Sequence, residues 1–160
     1  MKFNDLMDFQ LKRGGLLVEL KMKWEGKRAF TGVTPSGHQL ITDGLPEFGG
    51  EGRGPAPMEM LLGTVIGCTG IDIIAILEKM RLVPTDFHVE AKGDRAQSHP
   101  RRYRDIYLHY TVIGEIPEDK LYRAIELSLN KYCAVSYSLN AELKASYSLN
   151  GGDQVIMDLD

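Results

Sequence analysis

Cysteine is scarce in this sequence: 160 residues contain two, Cys68 and Cys133, sixty-five positions apart. That excludes a disulfide framework, and a chain of this length can bury a core in one domain without covalent staples. It also argues against a structural zinc site, which wants four clustered ligands. No Cys-x-x-Cys pair occurs, and the four histidines are scattered at positions 38, 88, 99 and 109. Neither a metal nor an organic cofactor is expected. Charge of one sign is lacking too, since 19 basic residues face 22 acidic ones and the net charge is −3. Composition therefore points to neither a nucleic-acid partner nor an acidic tail. Basic residues cluster once, in DRAQSHPRRYR at residues 94–104, which reads as a solvated loop. The opening MKFNDLMDFQLKRGG mixes acids and bases and has no apolar signal core, so the expected location is the cytoplasm.

One long hydrophobic run is present, MLLGTVIGCTGIDIIAIL, eighteen residues with Cys68 in its middle. Asp72 lies inside it, and its three glycines and two threonines suit close packing, so a buried core helix is expected rather than a membrane span. Pro57 suits the first turn of that helix and Val83-Pro84 stops it, giving a helix from about Pro57 to about Arg81. Its apolar residues cover nearly the whole circumference, as in a helix enclosed by other structure.

Before this helix, LLVELKMKWEG alternates apolar and polar residues as a half-buried strand does, and KRAFTGVTPSGHQLITDG reads as two short strands around the turn TPSG. The stretch LPEFGGEGRGPAP, rich in Gly and Pro, is expected to be a mobile loop. After the helix, FHVEAKGD and RDIYLHYTVIG alternate again and form a hairpin joined by the arginine-rich loop. IPEDKLYRAIELSLNKY has Pro117, Glu118 and Asp119 in its first turn and places a second helix ahead of Cys133; AELKASYSLNG is a last strand. The fold class is α+β, with antiparallel sheets, a long buried helix carrying Cys68 and a second helix ending near Cys133.

Three segments in this order, PAPMEMLLGTVIGCTGIDIIAILEK, SHPRRYRDIYLHYTVIG and AIELSLNKYCAVSYSL, resemble the osmotically inducible protein C and organic hydroperoxide resistance (OsmC/Ohr) family. The resemblance is to its OsmC-like branch, with P-M-E-M before the first cysteine and K-Y-C-A-V around the second. It divides the chain into an N-terminal extension at 1–14, an OsmC-like domain at 15–150 and a C-terminal tail at 151–160. It implies an intertwined homodimer and a thiol-dependent peroxidase active in oxidative or osmotic stress defence. Cys68 corresponds to the peroxidatic cysteine and Cys133 to the resolving one. The implied partners are an organic, lipid-like hydroperoxide and a dithiol or lipoylated-protein reductant, with no nucleic acid and no membrane.

Cys68 stands about three turns inside its helix, too deep for the helix dipole to lower its pKa. The family uses an arginine for this, held by a glutamate ahead of the first cysteine. Glu59 is the candidate glutamate, although the peroxidase pattern would place it where Met58 stands, and one residue turns a helical side chain through about 100°. Arg53 is the preferred arginine, with Arg28 and Arg102 as alternatives. Asp72, at i+4 from Cys68, shares its face and would raise the thiol pKa. A redox sensor or small-molecule-binding protein of little turnover is the alternative function, and two thiols that serve packing alone are a third.

Overall fold

The computed structural model describes residues 18–159, so the 1–14 extension lies outside the described residues. The chain forms two compact units that divide between Pro57 and Met58.

The first unit is an antiparallel meander of β1 (Lys21–Trp24), β2 (Phe30–Val33) and β3 (Gln39–Thr42), with Trp24 opposite Phe30 and Val33 opposite both Lys21 and Gln39. Gly37, at φ 87°, takes the left-handed position that the TPSG turn requires. The expected half-burial of the first strand is not seen among the described residues of its unit: Leu20, just before β1, and Trp24 are both exposed.

The Gly/Pro-rich stretch after β3 also departs from the expected mobile loop, because a buried carboxylate ties it down. Asp43 accepts the backbone N–H groups of Gly44 (2.7 Å), Glu51 (3.0 Å) and Arg53 (3.1 Å), which closes residues 44–53 into one ring of hydrogen bonds. Gly50 packs so closely on Gly44 that a side chain there would collide with the Gly44 carbonyl. The Arg53 N–H bond, with those from Glu51 and Gly44, holds the Asp43 carboxyl below the ordinary carboxylate range despite its burial. Its anchoring is therefore complete above the unfolded-state pKa of about 3.9 and fades as the pH falls through the lower folded value. Asp43→Ala should lower the melting temperature and speed tryptic cleavage after Arg53. Equal cleavage rates for variant and wild type would show that the loop is held by something else.

The second unit opens with α1 (Pro57–Lys79), within two residues of the expected span. It ends where Arg81, at φ 60°, takes a left-handed position and the Leu82 N–H bonds back to the Leu77 carbonyl (2.9 Å). β4 (Asp86–Arg95) and β5 (Tyr103–Ile113) form the expected hairpin through the arginine loop. Then come α2 (Glu118–Leu127), a π turn at Ser128–Tyr132, the short α3 (Ala134–Ser138), β6 (Glu142–Leu149) and β7 (Val155–Ile156). The sheet order is β4-β5-β6-β7. β5 and β6 pair in parallel, unlike the antiparallel arrangement expected throughout, because α2 and α3 form a crossover between them and a crossover lets the chain re-enter in the same direction. β7 comes from the 151–160 stretch and pairs with β6.

The core lies where α1 and α2 meet the sheet. Ile106, Leu108, Tyr110 and Val112 alternate along β5 and are all buried, with Leu121, Ala124 and Ile125 from α2. From α1 the buried residues are Val65, Thr69, Ile73, Ile76 and Leu77, a stripe with helical spacing. The helix is long and apolar enough to cross a membrane, yet this stripe is packed into the core. Among the described residues only one flank of α1 is buried, however, and Ile71 on the other flank stays 72% exposed. The enclosure expected from its apolar circumference is not completed among the described residues of the second unit.

Candidate active site

Cys68 and Asp72 each precede a residue of the buried α1 stripe, Thr69 and Ile73, so they sit about 100° round from it, half-buried at its edge. Cys133 reaches the same place from the other side of the sequence. The π turn after α2 inserts an extra residue into the helical winding, and the Cys133 N–H bonds back to the Ser128 carbonyl at 2.8 Å, five residues earlier. The chain then leaves in an extended conformation (φ −69°, ψ 98°), and Cys133 caps α3. Its thiol is fully buried, whereas Cys68 is partly open. The sulfurs of Cys68 and Cys133 and a carboxylate oxygen of Asp72 all lie within 4.8 Å of one another. Both cysteines are free thiols.

The first residues of α3 donate to the sulfurs. The Val135 N–H bonds to the Cys68 sulfur, and the Ser136 N–H bonds to the Cys133 sulfur at 3.4 Å. Burial pushes the Cys68 thiol up, the neighbouring Cys133 adds to this, the Val135 N–H opposes it, and the Asp72 charge raises it further. The effect anticipated for an acid at i+4 is therefore present. Asp72→Asn should increase the rate at which iodoacetamide alkylates Cys68 at pH 7, because removing the charge lets the thiol ionise more readily. An unchanged rate would mean that the carboxylate does not act on the thiol.

Asp72 has the hydroxyl partner that a helix-interior acid needs: Ser128 Oγ lies 3.4 Å from Asp72 Oδ2 and 3.3 Å from the Thr69 carbonyl oxygen. Tyr110, also fully buried, has Thr69 and Cys133 as polar neighbours, and desolvation moves its phenol well above the ordinary range. Neither Ser128 nor Tyr110 stood out in the sequence. Ser128 lies at helical spacing on an apolar face, and Tyr110 reads as one more inward residue of an alternating strand.

The other expected site residues are described within their own units. Glu59 is in the first turn of α1, nine residues before Cys68, which places it roughly 13 Å along the axis and on the opposite side of the helix within one chain. Its charge acts on Tyr103, whose hydroxyl donates to the Met58 carbonyl at 3.0 Å. Arg53 belongs to the first unit. There its guanidinium donates to the Glu25 and Gly26 carbonyls at 3.2–3.3 Å and pairs with Glu51 at 3.1 Å. Arg28 donates to the Phe48 carbonyl, and Arg102 bonds the carbonyls of Tyr103 and Asn140.

Residues 50–148 match the family model described as OsmC-like protein, a span that includes both cysteines, Asp72 and Ser128. The chain belongs to the OsmC-like family. Among curated relatives, Protein YhfA of Escherichia coli K12 is 35% identical over 117 residues, covering 72% of this chain and 84% of YhfA. Among solved structures, a protein of Aquifex aeolicus VF5 superposes with a TM-score of 0.74 at 30% identity, covering 84% of this chain and 97% of its own. An organic hydroperoxide resistance protein from Legionella pneumophila has the same fold, with a TM-score of 0.64 at 18% identity over 84% of this chain and 99% of its own. This OsmC-like chain thus shares the fold of proteins named for hydroperoxide resistance, and the sequence reading of its family and fold class stands.

Proposed function

We propose that the chain is a thiol-dependent peroxidase of organic hydroperoxides, with Cys68 as nucleophile and Cys133 as resolving thiol. The observation that carries this reading is that the two sulfurs lie within 4.8 Å of one another although sixty-five residues separate them. The Cys68 thiolate attacks one peroxide oxygen, the O–O bond breaks, and an alkoxide leaves and takes up a proton. The resulting sulfenic acid condenses with the Cys133 thiol, releasing water and forming the disulfide. A disulfide needs its sulfurs at about 2.05 Å, so the pair stands a short movement from bonding. A dithiol or lipoylated protein then reduces the disulfide by exchange. Leu61 and Val65 lie seven and three residues before Cys68, on its side of α1, and apolar neighbours favour an alkyl hydroperoxide over hydrogen peroxide. The role is stress defence in the cytoplasm. The test is turnover: many equivalents of cumene hydroperoxide consumed per chain in the presence of a dithiol support a peroxidase.

The second reading is a redox sensor that reacts once and waits. The Asp72 carboxylate beside the sulfurs favours it, as does Met58 at the position where the peroxidase pattern has its glutamate. Consumption that stops after one equivalent per chain, with dithiol present, selects this reading.

The proposal includes a homodimer. Ile71 is exposed on the uncovered flank of α1, beside a surface depression lined by Ile66, Gly70, Ile74, Phe87 and Val89. Covering such a flank in an obligate dimer buries well over roughly 2,000 Å². Light scattering at micromolar concentration should give twice the chain mass of 17.9 kDa, and a stable folded monomer would count against the dimer.

A further inference from the structure

Four metal ligands at short spacing do not occur in the sequence; the fold instead assembles three from two distant segments. Cys68 and Asp72 project from the same face of α1, one turn apart, and Cys133 meets them from the end of the π turn, with all three donor atoms within 4.8 Å of one another. We propose that the reduced chain binds one zinc-class divalent ion through the sulfurs of Cys68 and Cys133 and the Asp72 carboxylate. Two thiolates on a tetrahedral zinc, each about 2.3 Å from the ion, stand about 3.8 Å apart, and a carboxylate oxygen binds at about 2.0–2.2 Å. With all three donor atoms already within 4.8 Å of one another, closing to these separations takes side-chain movements of about 1 Å. Two sulfur donors and one oxygen select zinc over magnesium or calcium, which take oxygen ligands.

The surroundings of the three ligands suit a bound ion. Ser128 Oγ, at 3.4 Å from Asp72 Oδ2, holds the carboxylate, and the N–H groups of Val135 and Ser136 each meet one sulfur. These are the outer contacts that orient ligands and support their negative charge. Three protein ligands leave the fourth tetrahedral position to water. Metal and disulfide exclude each other, because both use the same sulfurs. When a hydroperoxide ROOH oxidises the pair, the two sulfurs give up two electrons, the S–S bond forms as O–O breaks, the oxygens leave as ROH and water with two protons taken from solvent, and the ion is released.

The site is tested with Co²⁺ as the spectroscopic probe, added to full-length protein kept reduced with a phosphine, which does not compete as a dithiol would. The expected result is a thiolate-to-cobalt charge-transfer band with tetrahedral ligand-field bands, saturating at one ion per chain and displaced by Zn²⁺. The band should be absent from the disulfide form and from wild-type protein alkylated at Cys68. Asp72→Asn should weaken cobalt binding more than tenfold, and Ser128→Ala, which removes a support and not a ligand, by about tenfold. If Asp72→Asn does not fold, judged by circular dichroism, the alkylated wild-type protein still decides whether the sulfur is a ligand. No thiolate band in the reduced wild type, a band that survives alkylation of Cys68, or equal affinities for wild type and a folded Asp72→Asn would each overturn the proposal. No hydroperoxide enters these measurements, so their failure leaves the peroxidase reading standing, and a failure of turnover leaves the metal site standing.

Discussion

Replacing Cys68 with serine should reduce the consumption of cumene hydroperoxide in the presence of a dithiol to the uncatalysed rate. The serine hydroxyl is nearly the size of the thiol, so the helix and the buried stripe beside it should persist, and circular dichroism should be unchanged. What is lost is the ionisable nucleophile, since a hydroxyl is essentially un-ionised near neutral pH and a thiol is not. The remaining sulfur, Cys133, is fully buried and cannot take over the attack. Turnover by Cys68→Ser at the wild-type rate would remove the proposed mechanism.

Replacing Cys133 with serine should have a different effect. Cys68 is then left with no thiol within the 4.8 Å cluster, and its sulfenic acid has no internal partner. One equivalent of hydroperoxide should be consumed in a burst, after which the chain should carry added oxygen on Cys68, first as sulfenic and with excess peroxide as sulfinic acid. Mass spectrometry of the intact chain reads this directly. A cross-linked species of twice the chain mass in place of a gain of oxygen would mean that Cys68 of a second copy of the chain resolves it.

The elements that carry strong periodicity are legible in the sequence. The alternation of Ile106, Leu108, Tyr110 and Val112, and the apolar run bounded by Pro57 and Val83-Pro84, report burial directly, and both fell where expected. Less legible was anything set by a single polar contact. The Gly/Pro-rich stretch reads as mobile until Asp43 is seen to collect three N–H groups from it, and nothing in its pattern announces such an anchor. The direction of β6 depends on the path of a crossover, which strand periodicity does not encode. The incomplete burial of α1 has the opposite origin, since the sequence records an apolar circumference and does not say how much of it this fold covers.

The site shows the same division. Asp72 was visible as a carboxylate one turn from Cys68, because helical spacing is local information. Its approach to Cys133 was not, since it depends on a π turn that no residue pattern marks, and Ser128 acquires its role only through that turn. Glu59 and Arg53 came from the family resemblance alone. Helical geometry puts Glu59 across α1 from the thiol, and Arg53 has carbonyl and carboxylate partners in its own unit.

The most direct test of the central claim, that Cys68 and Cys133 form one redox pair, is peptide mapping of the reduced wild-type chain after one equivalent of cumene hydroperoxide, without added reductant. The account predicts a single cross-linked species that joins the peptide bearing Cys68 to the peptide bearing Cys133 and returns to two free thiols on adding a dithiol. Recovery of both peptides unmodified, with the hydroperoxide intact, would contradict it.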